Sequence, residues 1–523
     1  MKKYILSTSI LGLFAISAFA QETTYTDLYY NKTLDGGINN DYAINIANSW
    51  NVGSATGTVN TTGLNTSHNL IIEHNSVTGE DPIVNYARKL SVLANTSVNS
   101  IDLNLKTSKQ IGIFYLYDNV SLSTAKNLNI TLVNTLTSGS ILPGIDLRRN
   151  STISVGENLV LKNNANANEG SALTLRFFQD QNQTTDSEPT ANIYVGGDFL
   201  WKSSSDNYTA TNGKIKLTMF LASMTVDGVV DMTNASSSLT YREWDLLTDF
   251  RYKDSTAADG KTYVSEFTTQ YSVGGLRGSG TLSITNAHSC GATMTFTNST
   301  AERFAGNLSL SNTAFYNVVM DATDSNNGVQ YLDLSGKQIA SAEIKSGKLV
   351  LGQSTGVGSL TLNNKLGTLA VNDGLEAVDN IGSLNVENMS VSAGKIAISY
   401  DAEGLSDTIY VAEALNVSDA SKLTINFESA SDIKAWLASS ENPDSIEISF
   451  IEFGSTNLTE ESIADINVVI GEGLQAVLNA IKNGDTITGL GATISLVAVP
   501  EPATVAGIFG LFALAFVAYR RRK

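Results

Sequence analysis

The residues of this chain best suited to metal or nucleophilic chemistry are three histidines and one cysteine. His68 and His74 lie six apart in a strand-like segment and share a side, but no third ligand at metal spacing accompanies them. A zinc centre needs three or four protein ligands, so no metal site is expected there. His288-Ser289-Cys290 sets a base beside a nucleophile. A working dyad is placed by the fold rather than by adjacency, so these read as buried or turn residues. No phosphate loop occurs. Asp321 through Gly328 gathers oxygen donors in one turn without the spacing or the closing glutamate of an EF-hand. No cofactor is expected; calcium at this turn is the single one held open, against a solvated loop. Asp146, Arg148 and Arg149 are the first residues to suspect if the fold carries a polysaccharide lyase or hydrolase.

The two ends carry a different kind of chemistry, that of processing. Lys2 and Lys3 precede an apolar run to Phe19, and Ala18-Phe19-Ala20 stands before Gln21. That order of charge, apolar stretch and small-x-small site predicts a signal peptide over 1–20, cut by signal peptidase between Ala20 and Gln21. At the other end Pro500-Glu501-Pro502 is followed by apolar residues 503–519 and then Arg520, Arg521, Arg522 and Lys523. Seventeen residues make a helix of about 25 Å, at the short end of what spans a bilayer. The four cations would hold its end on the cytoplasmic side, which places the body outside.

This tail closely resembles the PEP-CTERM sorting signal, which joins a Pro-Glu-Pro triplet, one hydrophobic helix and an arginine-rich end. The resemblance covers residues 500–523 alone. It implies recognition near Pro500, Glu501 and Pro502 by an exosortase, a transpeptidase-like membrane enzyme. It further implies a Gram-negative source, a transient single-pass stage in the inner membrane, and delivery to the envelope, surface or extracellular matrix.

Without residues 1–20 and 500–523 the chain keeps 479 residues, and its 27 basic and 50 acidic side chains leave a net charge of −23, against −18 for the whole. Nucleic acid is excluded as a partner, since phosphate binding needs clustered cations. The one cysteine, Cys290, permits no disulfide within the chain, so stability must come from buried apolar area.

The elements that must supply that area are short. Glycine, any residue, apolar, any residue, apolar recurs as a frame, for example Gly197-Asp198-Phe199-Leu200-Trp201 and Gly306-Asn307-Leu308-Ser309-Leu310. It returns at Gly347, Gly358, Gly367, Gly382 and Gly394, in steps of 11, 9, 15 and 12 residues. In a strand the two apolar residues point to one face and the residue between them to the other, while glycine supplies a turn's positive φ. One such strand cannot bury its face alone, but stacked coils can. The fold class predicted is all-β: a right-handed parallel β-solenoid, or β-helix, over 21–400. The alternative is a pair of β-sandwiches, whose strands also recur every 8–12 residues or so. Gly278-Ser279-Gly280-Thr281-Leu282, with Ser346-Gly347-Lys348-Leu349-Val350-Leu351 further on, resembles in part the autotransporter-associated β-strand repeat of passenger domains. The Tyr-Thr-Gly-Gly centre of that repeat is absent.

From about residue 400 the texture changes. Ser431–Ala438 and Glu460–Ile481 have helical spacing and alternate with strand-like Leu423–Phe427, Ile446–Phe453 and Thr493–Val499. This predicts an α+β cap or small domain over 401–499, closing the end of the stack. The function expected is that of an exported structural or adhesive protein without enzymatic activity, at the cell surface or in an exopolysaccharide matrix. Its partners would be signal peptidase, exosortase, exopolysaccharide or other surface glycans, and the membrane before processing. The alternatives are a polysaccharide-degrading β-helix enzyme and an ice-binding protein. An ice face requires Thr-x-Thr ladders, and the run Thr293-Met294-Thr295-Phe296-Thr297 does not make one by itself.

Overall fold

The computed structural model describes residues 24–30, 44, 49–75, 90–106, 111–132, 140–141, 143–147, 150–163, 172–179, 192–203, 214–220, 223–233, 238–242, 255–256, 262–263, 268–285, 291–310, 315–322, 328–334, 336–352, 355–371, 381–401, 405–439, 445–497 and 502–521. The chain is all-β in class, and nearly all of its long pairings are parallel. One coil shows the plan. Ser121–Thr124 forms a first face, Leu128–Leu132 a second and Pro143–Leu147 a third, and Thr152–Val155 then returns to the first face directly above Ser121–Thr124. A parallel neighbour cannot be reached by a hairpin, so the chain must travel round a coil between one strand and the next on the same face.

Alternation within each strand decides what lies inside. On the first face Leu122, Ile153, Ile193, Met224, Tyr271, Met294 and Val318 stand in register from coil to coil, and all are buried. On the second, Leu70, Ile101, Leu128, Leu159, Phe199 and Val230 do the same. Like residues therefore meet like residues along the stack, and their interiors join into one core running from Leu28 to Ile494. Facing antiparallel sheets, as a sandwich requires, would not produce these parallel registers.

The glycine frame marks faces rather than coils. The frames at Gly358 and Gly367 both fall within one strand, Gly356–Val371, the first on face one and the second on face two. Positive φ, expected throughout the frame, occurs only at Gly347 (79°) and Gly394 (144°) among these five glycines. Gly358 and Gly367, like Gly306 earlier in the chain, are glycine for a different reason: a Cβ at Gly306 would lie 2.3 Å from the carbonyl oxygen of Gly280, one at Gly358 2.7 Å from that of Ala340, and one at Gly367 2.9 Å from that of Ile344. Coils climb past each other too closely there for any side chain.

Parallel stacking does not stop at residue 400. Thr408–Val417 pairs with Ser383–Val391, and Leu423–Phe427 pairs with Gly394–Ile398. An antiparallel layer follows, in which Thr486–Leu496 pairs with both Leu474–Asn483 and Ser445–Thr456. Helix α1 spans Ala430–Ser439 and buries Ile433 and Leu437. Helix α2 is confined to Glu460–Ala464, capped by Thr459, so the helix expected through Ile481 is not formed. Val468, Val469 and Ile470 are β-branched and favour strand, and Gly471 and Gly473 (φ 79°) end any helical run before Leu474.

Pro502 opens helix α3, Pro502–Arg520, at the position where a proline's missing N–H costs nothing. The membrane span expected over 503–519 is not supported: among the described residues no helix is long and apolar enough to cross a membrane. Side chains of α3 are described only from Gly510 onward. Ala20, Gln21, Pro500, Glu501, Arg522 and Lys523 lie outside the described residues, whereas Arg520 and Arg521 are exposed at the end of α3.

Candidate functional site

The residues singled out for chemistry are not brought together. His68 occupies the inward parity of Leu70 and Ile72 in the strand His68–Asn75 and is buried. Its Nδ1 accepts the N–H of Asn65 at 3.1 Å, and burial lowers its pKa, which favours the neutral imidazole. The side chain of His74, together with His288 and Cys290, lies outside the described residues, as do Arg148, Arg149 and the side chain of Asp146. Asp321 accepts a hydrogen bond from Ser346 Oγ at 3.2 Å, and residues 323–327 of its turn are not described. Among the described residues no group of three His, Cys, Asp or Glu is arranged to hold a metal ion.

What the coils assemble instead is a charged cluster on face two, from residues far apart in sequence. Asp231 and Arg277 are register partners on adjacent coils, and Arg277 Nη2 donates to Asp231 Oδ2 at 2.9 Å. Burial pushes the Asp231 carboxyl up, but hydrogen bonds from Arg277 and Thr233 outweigh it and hold the group below its usual range. Asp198, one coil earlier, accepts the N–H of Val229 at 2.8 Å. It continues a ladder in which Asn127 accepts from the N–H of Asn158, and Asn158 from that of Asp198.

Glu302 completes the cluster from the next coil. Burial raises its pKa, with the carboxylates of Asp198 and Asp231 adding to the rise and Arg277 opposing it. Its side chain lies across Gly275, where a Cβ would stand 2.6 Å from Glu302 Cγ. This packing marks an interruption in the sheet: Thr268–Gly278 and Ala301–Ala305 pair only at Gly278 and Phe304. The buried carboxamide of Gln330 fills the break. It accepts the N–H of Leu276 at 3.0 Å and donates to the carbonyl of Leu276 at 2.8 Å, replacing the missing strand with one side chain.

The chain matches no protein-family model and no curated protein. Chemistry must therefore be judged on geometry. Glu302 is held toward its neutral form beside an ionised Asp231, which is the polarity of an acid paired with a carboxylate. Arg277 holds an oxygen of Asp231, however, and much of what the cluster does is ordinary cross-strand ion pairing on a sheet.

Face one differs in kind. Over the ten coils from Ser121 to Ser390, thirteen of the twenty outward positions are Ser or Thr and four are Asn or Gln; Glu343 is the one charged residue among them. Ser223 and Thr225, Gln270 and Ser272, and Thr293 and Thr295 form consecutive rows. The ring of Tyr194, 37% exposed, lies in the same array, its hydroxyl donating to Asp227. Sequence reasoning found neither the charged cluster nor these ladders, because their members are a whole coil apart. The one signal that could have found them is the coil length itself. That length is irregular: Leu122, Ile153, Ile193, Met224 and Tyr271 advance by 31, 40, 31 and 47 residues.

Proposed function

We propose that this chain is an exported structural or adhesive protein of the cell surface or exopolysaccharide matrix, built as a right-handed β-solenoid and sorted by an exosortase through residues 500–523. The observation that carries the reading is the continuous core from Leu28 to Ile494 beneath long outer faces, an architecture suited to presenting surface. Handedness follows from the rule that crossovers between parallel strands of one sheet are right-handed in about 98% of cases. The sorting step draws support from α3, where Leu511, Phe512, Leu514 and Phe516 are each about two-thirds exposed, on several sides of the helix. A helix apolar all round belongs in lipid or in a protein core, and Arg520 and Arg521 follow it at the cytoplasmic end.

The test is replacement of Pro500, Glu501 and Pro502 by alanine in the native host. Retention of the unprocessed chain in the inner membrane is expected, and unchanged processing and location would reduce the tail to a plain anchor. A second reading, polysaccharide cleavage, is favoured only by the raised pKa of Glu302 beside Asp231. Release of reducing ends by the purified chain, abolished by Glu302→Gln, would put that reading first.

A further inference from the structure

We propose that face one binds an uncharged, extended polysaccharide, laid across the strands along the axis of the stack. The proposal rests on the matrix reading above and names its ligand class and the surface that takes it.

Three observations carry it. First, charge is unequally divided between the faces: face two displays Asp102, Asp231, Arg277 and Arg303, whereas the twenty outward positions of face one hold Glu343 alone, paired with Lys345, and Asp227, two residues past Thr225, is bonded by the Tyr194 hydroxyl. A face with so little charge does not attract a polyanion, and it leaves few ions to be desolvated when a neutral polymer covers it. Second, the groups are repetitive in two directions. Strands stand about 4.8 Å apart and alternate residues about 6.8 Å apart, so the array runs for roughly 40 Å over ten coils. A linear glycan crossing the strands meets a hydroxyl or amide on every coil, and these groups both donate and accept, as sugar hydroxyls do. Third, Tyr194 places an exposed aromatic ring within the array, against which the C–H face of a sugar can rest. The hydrogen bond from its hydroxyl to Asp227 fixes the ring's position. Side chains within the ladders are already ordered by one another: Ser97 Oγ lies 2.7 Å from Ser123 Oγ, and Ser341 Oγ donates to Asn317 at 2.8 Å. Less entropy is then lost when a ligand binds.

Ordered water is the competing ligand for a hydroxyl grid. Threonine methyl groups at matched positions suit a lattice of water, but here serine, asparagine, glutamine and tyrosine interrupt the threonines. The irregular rows favour a flexible polymer that can adjust coil by coil.

The experiment uses the full chain in mild detergent, sedimented with swollen cellulose and galactomannan and run in native gels containing dextran, laminarin or anionic alginate. Retention by at least one neutral polymer and not by alginate is expected. A Thr225→Glu, Thr295→Glu double variant should weaken it about tenfold and Tyr194→Ala at least threefold, while Asp102→Lys on face two should leave it unchanged. All substituted positions point outward, so circular dichroism should report an intact fold. Binding to no neutral polymer, equal binding to alginate, indifference to the face-one variants, or equal loss from Asp102→Lys each overturns the proposal. Shaping of ice crystals without glycan retention would transfer the face to water. If the chain reaches the matrix and face-one variants bind like wild type, this inference fails alone. If glycan binding holds but the Pro500–Pro502 replacement changes nothing, the sorting reading fails alone.

Discussion

Gln330 offers the sharpest test of how the coils are held together. It stands in a column continued by Leu349, Leu369, Ile396 and Ile425, all buried, and is itself fully buried. An amide in an apolar column is tolerated only when its hydrogen bonds are made, and Gln330 makes three: two with the backbone of Leu276 and one with the carbonyl of Tyr331 at 2.8 Å. Gln330→Leu keeps the volume but strands the N–H and C=O of Leu276. Each orphaned group costs about 1–3 kcal/mol, and allowing for the leucine's own burial the expected loss is about 3 kcal/mol. Stacked coils open in local units, so the readout is hydrogen exchange at the Leu276 amide. A loss of that size speeds exchange about a hundredfold. Gln330→Glu adds a check of sign. A protonated glutamic acid can still donate to the Leu276 carbonyl, whereas the carboxylate cannot and would be buried. Its folded pKa is therefore raised. Its contribution is present below the unfolded value of about 4.3 and is lost as pH rises through the folded one, so its deficit should be smaller at pH 4 than at pH 7. Unchanged exchange at Leu276 in Gln330→Leu, with the fold intact, would refute the idea that this amide replaces a strand.

Three further outcomes are expected. Leu360 is buried and its neighbour Thr361 points outward beside Glu343, so in urea melts Leu360→Asp should cost several kcal/mol and Thr361→Lys about zero. His68 has a folded pKa below that of the unfolded chain, so its contribution is present above pH of about 6.5 and is lost as pH falls through the folded value. The urea midpoint should fall between pH 7.5 and 5 by less in His68→Gln than in wild type. Gly394→Ala sets a Cβ 2.4 Å from Leu362 Cγ at φ 144° and should destabilise clearly more than Gly336→Ala, which has φ 77° and open space around it. Equal melting shifts for the two glycines would mean that coil contact at Gly394 is unimportant.

Much of the strand content was legible because alternation is local. Leu308 and Leu360 are buried where the frame places them, and Ser309 is exposed, although Leu310 is only partly covered. Leu423–Phe427 forms with the expected bounds. Glu460–Ile481 was misread because Ile463 and Ile466 are buried at helical spacing although the chain between them leaves the helix. Periodicity reports which residues are covered, not the conformation that covers them, and β-branching with Gly471 and Gly473 settles the conformation.

The candidate surfaces were illegible for a different reason. Asp198, Asp231, Arg277 and Glu302 are 104 residues apart from first to last, and nothing between neighbours in sequence links them. Their proximity is a property of register, and register here is set by inward stacking: Phe199 must meet Val230, and Leu276 must follow, before Asp231 can face Arg277. The same holds for face one, where the run Thr293-Met294-Thr295 supplies one row of a ladder that contains ten rows across the coils. Loops of unequal length can intervene between coils without disturbing either array, because each strand is positioned by the strand beneath it and not by the length of chain that led to it. Function on such a scaffold is therefore written perpendicular to the sequence. Single substitutions should act on it through the rows above and below rather than through neighbours in the chain, so that Thr225 and Thr295, seventy residues apart, share the face with Ser272 between them.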